Sequence, residues 1–125
     1  MDTFEILSQL CSAAGVSGAE CSAAETAAKL LEKYGEVTLD NALGSVICKV
    51  GSWEDGKPVM LLDAHIDEIG MIVTYITEDG FLKISGCGGL DTRLLLAQQV
   101  TVYGKEKLTG IVTSTPPHLE KDKIG

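Results

Sequence analysis

The chain has 125 residues, a formal net charge of −8 and a pI of about 4.6. That balance excludes a nucleic-acid surface, which needs dense Lys and Arg, and no apolar run approaches the roughly 20 residues of a membrane span. With 45% hydrophobic and 22% charged residues, the composition is that of one small globular domain, and the lack of a basic, signal-type N-terminus makes a cytoplasmic location the expectation.

Asp2 and Glu5 read as a capping box that opens a first helix, with Phe4, Leu7, Cys11 and Ala14 on one face and Gly15 as its stop. Ser17 and Glu20 repeat the S-x-x-E spacing and predict a second box. An Ala-rich helix is expected from there to about Tyr34, with Ala24, Ala27, Leu31 and Tyr34 turned inward. Glu25, Lys29 and Glu32 suit its solvated side, and Gly35 stands in the usual C-terminal place. Strand signals follow at 37–39 and 45–50, with a turn at Asp40-Asn41 between them. Trp53 falls in a polar connection and is expected to be partly covered.

Pro58 introduces Val59-Met60-Leu61-Leu62, an unbroken apolar run that reads as a strand buried on both faces. After Glu68 the texture changes to short antiparallel strands at 69–76, 81–84, 99–103 and 108–113. Asp79-Gly80 marks a hairpin turn, and Gly86-Cys87-Gly88-Gly89 reads as a flexible joint without the strand-to-helix setting of a phosphate loop. Ser114-Thr115-Pro116-Pro117-His118 is a proline-stiffened loop, and Glu120-Lys121-Asp122-Lys123 a charged tail. The four cysteines (Cys11, Cys21, Cys48 and Cys87) are widely spaced with no C-x-x-C pair. That argues against a zinc knuckle or a thioredoxin-like motif and favours small buried thiols over a disulfide framework.

The chemistry-bearing stretch is His65-Ile66-Asp67-Glu68, at the end of the apolar run. A neutral imidazole is the commonest protein ligand for zinc, and the carboxyl ends of strands are where α/β sheets bind ligands. Asp67, two residues on, is placed to accept the imidazole's other N–H and fix its tautomer. Three residues are also what a structural histidine beside exposed acids looks like, and Glu68 fits either a rim acid or the start of the next strand. No G-x-S-x-G elbow accompanies either histidine. Cys/His catalysis has candidates by count only, and no spacing singles out a glycosidase-like carboxylate pair. His118 reads as a loop residue.

Several segments in order resemble the N-terminal part of the M42 family of metallo-aminopeptidases, which includes glutamyl aminopeptidases and TET peptidases. They are Gly15-Val16-Ser17-Gly18, Asp40-Asn41 with Gly44, Asp63-Ala64-His65-Ile66-Asp67-Glu68-Ile69-Gly70, and Asp79-Gly80-Phe81-Leu82. Gly88-Gly89 with Asp91 and Arg93, and the 114–118 loop, complete the set. The resemblance implies an α/β fold: part of an aminopeptidase catalytic domain (residues 1–68, two helices plus strands) followed by a β-rich inserted dimerisation domain (69–125). It implies two divalent metals per site, zinc or cobalt, with His65 a metal ligand and Asp67 the catalytic acid that orients it. It also implies peptide substrates and a homo-oligomer.

The family's remaining ligands and general base are expected beyond this chain, so the 125 residues are expected not to hydrolyse peptides alone. The alternative is a non-enzymatic self-association or regulatory module derived from such an enzyme. The chain departs from the family pattern at Ala42 (an extra residue), Ser45, Leu90, Thr92 and Ala97, the last standing where Gly is common.

Overall fold

A computed structural model describes residues 2–40 and 42–114. Asn41, the 115–118 part of the proline loop with His118, and the charged tail lie outside the described residues. The element order is α1 (Thr3–Ser12), α2 (Cys21–Leu31), β1 (Glu36–Leu39), β2 (Val46–Lys49), β3 (Gly70–Ile76), β4 (Leu82–Cys87), a short 3-10 turn (Thr92–Leu94), β5 (Gln99–Tyr103) and β6 (Lys107–Ile111). The α/β class is as expected. Backbone contacts divide the chain into two compact units, Met1–Gly89 and Leu90–Gly125.

In the first unit α1 starts where the sequence places it. The Glu5 N–H donates to Asp2 Oδ1 at 2.8 Å and the Asp2 N–H to Glu5 Oε2 at 3.1 Å, a reciprocal capping box. The second expected box does not form. α2 begins at Cys21 with Glu20 as an N-cap that makes no side-chain cap bond. Residues 16–19 instead form a tight turn, closed by Ala19 N–H to the Val16 carbonyl at 2.7 Å. Gly18 has φ +87° at its third position, which a type II turn requires and which a helix interior does not tolerate. Glu20 Oε1 accepts from the Gly18 N–H at 2.5 Å, so the acid that would have completed a box closes the turn instead.

Among the described residues the buried hydrophobic ones are Ala23, Ala24, Ala28 and Leu30, all on α2. Expected inward positions Ala27 and Leu31 are half-buried, and Tyr34 lies past the end of the helix and is exposed. Ile6 and Leu10 of α1 join Ala27, Leu30, Leu31 and Tyr34 around an apolar cavity of about 310 Å³.

β1 and β2 form an antiparallel pair in the register Val37↔Cys48 and Leu39↔Val46. Both strands pack on α2, with Val37, Val46 and Cys48 half-buried. Gly35 serves this packing rather than a left-handed helix stop. A Cβ there would lie 2.1 Å from the Lys49 carbonyl oxygen, so only glycine lets the two backbones approach this closely.

The largest departure from expectation is at residues 59–62. They form no strand and are solvent-exposed, Leu61 and Leu62 at 85% and 87%. An apolar run specifies burial only if neighbouring strands cover it, and none of the described strands pairs with this one. The cysteines also differ from the expected buried thiols. All four are free, Cys11 and Cys21 exposed and Cys48 and Cys87 half-buried. Trp53 is exposed, with Lys49 Nζ 5.5 Å from its ring centre.

β3 and β4 form the expected hairpin, with a register shift between Val73 and Tyr75. Gly80 takes φ +83° in its turn, and the turn closes by Thr77 N–H to the Phe81 carbonyl at 2.8 Å. Gly86 and Cys87 belong to β4 rather than to a joint.

In the second unit β5 and β6 form an antiparallel hairpin from Gln99↔Ile111 to Tyr103↔Lys107. Before it, the Asp91 carboxylate accepts from the Arg93 N–H, Nε and Nη2 at 3.1, 2.9 and 2.7 Å. This fork holds the Asp91 carboxyl below, and the Arg93 guanidinium above, their ordinary values. Ala97 takes φ +64°, the only positive value at a described non-glycine residue. That is the position where the sequence departs from a common Gly, and the left-handed region explains the preference. No helix among the described residues is long and apolar enough to cross a membrane.

Candidate functional site

The turn between α1 and α2 meets the chain at 67–68. The Glu68 N–H donates to the Gly15 carbonyl at 2.8 Å, and the Gly15 N–H donates to Glu68 Oε1 at 3.1 Å. Val16 and Glu68 form a parallel bridge. Glu68 is therefore the acid that clamps the interhelical turn. Val16 in turn lies over Gly70, where an added Cβ would sit 2.4 Å from Val16 Cγ2. These contacts fix the backbone just after His65 against the helices.

His65 and Asp67 are brought together as their spacing suggests. His65 Nδ1 lies 3.0 Å from Asp67 Oδ1 and 3.1 Å from the Asp67 carbonyl oxygen. Both partners only accept hydrogen bonds once the carboxyl is ionised, so Nδ1 carries the proton and Nε2 of the neutral ring holds the free lone pair. The His65 side chain is 86% exposed, so that lone pair is open to a ligand. Asp67 Oδ2 accepts from the Ser17 hydroxyl. Ser17 first, and His65 second, hold the Asp67 carboxyl below its ordinary value, so it stays ionised and remains an acceptor near neutral pH.

A cavity of about 280 Å³ adjoins the pair, lined by Leu10, Cys11, Ala13, His65, Ile66 and Glu68. It is largely apolar, with the imidazole and one acid at its edge. Sequence reasoning singled out His65 and Asp67 and missed Ser17, whose only local signal is Ser-Gly directly after a helix stop. Gly18 at the first position of a helix should have weakened the capping reading in favour of a turn.

Among the described residues no group of three or more His, Cys, Asp or Glu side chains is placed to hold a metal ion. A catalytic zinc takes three protein ligands. The described residues thus fit one ligand with its orienting acid, not a whole site.

The structure thus presents an exposed imidazole, with an acid against its Nδ1, on the segment that follows the apolar run. The chain belongs to the M42 glutamyl aminopeptidase family, whose sequence profile matches residues 44–124. It is 28% identical to the lysyl aminopeptidase of Pyrococcus furiosus over 98% of its own length and 35% of that protein's. The crystal structure of a TET aminopeptidase from a marine-sediment thaumarchaeote superposes with a TM-score of 0.81 at 35% identity, covering 93% of this chain and 32% of that one. The Pyrococcus horikoshii TET1 peptidase, described as assembling into a tetrahedron or an octahedral shell, matches with a TM-score of 0.78 at 35% identity, over 98% of this chain and 37% of its own. The chain therefore spans about a third of the length of the relatives it matches.

Proposed function

We propose that this chain is the front part of a two-metal aminopeptidase, contributing His65 as a ligand to one metal and Asp67 as the acid that orients it. The observation that carries this is the His65 ring itself, with Nδ1 facing two acceptors of Asp67 and the side chain exposed. A bound zinc or cobalt ion would supply Lewis acidity toward a peptide carbonyl and toward water. The chain's own residues do the preparatory work. Asp67 keeps the proton on Nδ1, raises the basicity of Nε2, and stops the ring from rotating away.

On this reading residues 1–68 belong to a catalytic domain and 69–125 to an inserted β-rich dimerisation domain, in a cytoplasmic homo-oligomer that trims N-terminal residues from peptides. One metal ligand without a general base does not hydrolyse a peptide, and the described residues supply no more than that; on this reading the chain is inactive alone and binds zinc weakly.

The test expresses the protein from its full reading frame and compares it with His65→Ala and Asp67→Asn. Stoichiometric zinc binding and release of N-terminal residues are expected from the parent. His65→Ala should lose both, and Asp67→Asn should weaken metal affinity by about 10–100-fold. Unchanged zinc affinity in His65→Ala overturns the ligand role.

The exposed apolar run at 59–62 favours a second reading, a self-association module without catalysis. Sedimentation of the 125-residue chain separates it, since a strict monomer at high concentration refutes a module whose role is self-association.

A further inference from the structure

The interhelical turn does more than tether the backbone. We propose that Ser17 is a positioning residue for the His65–Asp67 pair, an inference that rests on the reading of His65 as a ligand. Asp67 has two oxygens, and each has a different partner. Oδ1 faces His65 Nδ1 at 3.0 Å, and Oδ2 accepts from the Ser17 hydroxyl. A carboxylate held at one oxygen still turns about its Cβ–Cγ bond, whereas one held at both keeps its plane and so keeps Oδ1 aimed at the imidazole. Ser17, fifty residues before Asp67 in sequence, therefore acts on His65 through that carboxylate.

The placement of the hydroxyl is built by the backbone. Ser17 occupies the second position of the turn closed by Ala19 N–H and Val16 carbonyl, and Gly18 supplies the left-handed conformation that completes it. The turn is pinned by the Gly15–Glu68 pair and the Val16–Glu68 bridge. None of these contacts uses the Ser17 hydroxyl. Ser17 is exposed, so trimming it to Ala removes the hydroxyl contact to the carboxylate and leaves the turn in place. Thr at the same position keeps the hydroxyl and has room for its methyl group.

The experiment reads the His65 ring directly, by two-bond 1H–15N correlation on the 125-residue chain at a pH well above the ordinary imidazole range. The expected parent signature is a pyrrole-type Nδ1 and a pyridine-type Nε2. Ser17→Ala is expected to lower the ratio of the Nδ1–H to the Nε2–H tautomer by about threefold or more, with the amide signals of Gly15, Val16 and Glu68 unmoved. Ser17→Thr is expected to restore the parent ratio. A parent-like ratio in Ser17→Ala, or a Ser17→Thr ratio as low as that of Ser17→Ala, overturns the assignment.

Zinc titration of the full-length protein distinguishes the two claims. Unchanged affinity in His65→Ala refutes the ligand reading and Ser17's part in it. Affinity lost in His65→Ala alongside a parent-like ratio in Ser17→Ala refutes the Ser17 role alone.

Discussion

Replacing Gly70 with Ala tests whether the interhelical turn is held from below as well as from the side. The added Cβ would lie 2.4 Å from Val16 Cγ2 and 2.8 Å from Cγ1. Carbon atoms rest at about 3.5–4.0 Å, so Val16 must retreat by roughly 1 Å. Overpacking of this kind costs about 1–3 kcal/mol, and the smaller conformational freedom of Ala in the unfolded chain returns about 0.4–1 kcal/mol. The net expectation is a loss of about 1–2 kcal/mol, read in a thermal melt as a fall of about 4–8 °C per kcal/mol for a unit of this size. Val16 is the residue before Ser17, so the same variant should also weaken the Ser17–Asp67 contact and loosen His65. Adding Val16→Ala removes the two clashing methyl groups, and the double variant is expected to be more stable than Gly70→Ala alone. A melt unchanged by Gly70→Ala would refute the reasoning. So would a double variant whose loss equals the sum of the two single losses, because residues in contact should not behave additively.

Ala97→Gly should stabilise the second unit by about 0.5–1 kcal/mol, because relief of the left-handed conformation exceeds glycine's entropic cost; a lower urea midpoint would contradict this. Arg93→Lys should break the forked contact and raise the Asp91 carboxyl toward its ordinary value, read by carboxyl NMR titration. Because the folded Asp91 carboxyl is held low, its contribution to stability is present above the unfolded value and lost as pH falls through the folded one. A parent midpoint matching that of Arg93→Lys would sink the idea. Cys11 and Cys21, exposed, should react with a thiol reagent before Cys48 and Cys87, and mass spectrometry of partly labelled protein reports the order.

Features resolved within a few residues were legible in the sequence. The Asp2–Glu5 box, the Asp79-Gly80 hairpin and the His65–Asp67 pair each close over two to four positions, so composition and spacing suffice. The readings that failed depend on distant partners. Ser17 and Glu20 carry a valid capping pattern, but Asp67, brought close by the Glu68 clamp, offers Ser17 a charged acceptor, and Gly18 turns the chain before a helix can start. Residues 59–62 have the composition of a central strand, and composition cannot supply the neighbouring ladder. Gly35 and Gly70 look like ordinary punctuation, yet their roles are close approaches to Lys49 and Val16, which only the fold reveals. In the candidate site, the imidazole and its acid were therefore readable, and the hydroxyl that steadies them was not.

The run at 59–62 lacks a ladder, while the backbone just after His65 is bound to the interhelical turn. The imidazole is thus surveyed from one side only, with the α1–α2 corner as its coordinate origin. On the reading proposed for His65, a shift of that corner would pass to Nε2 along Ser17, Asp67 and Nδ1, so the helical layer would act as the adjusting screw of the imidazole.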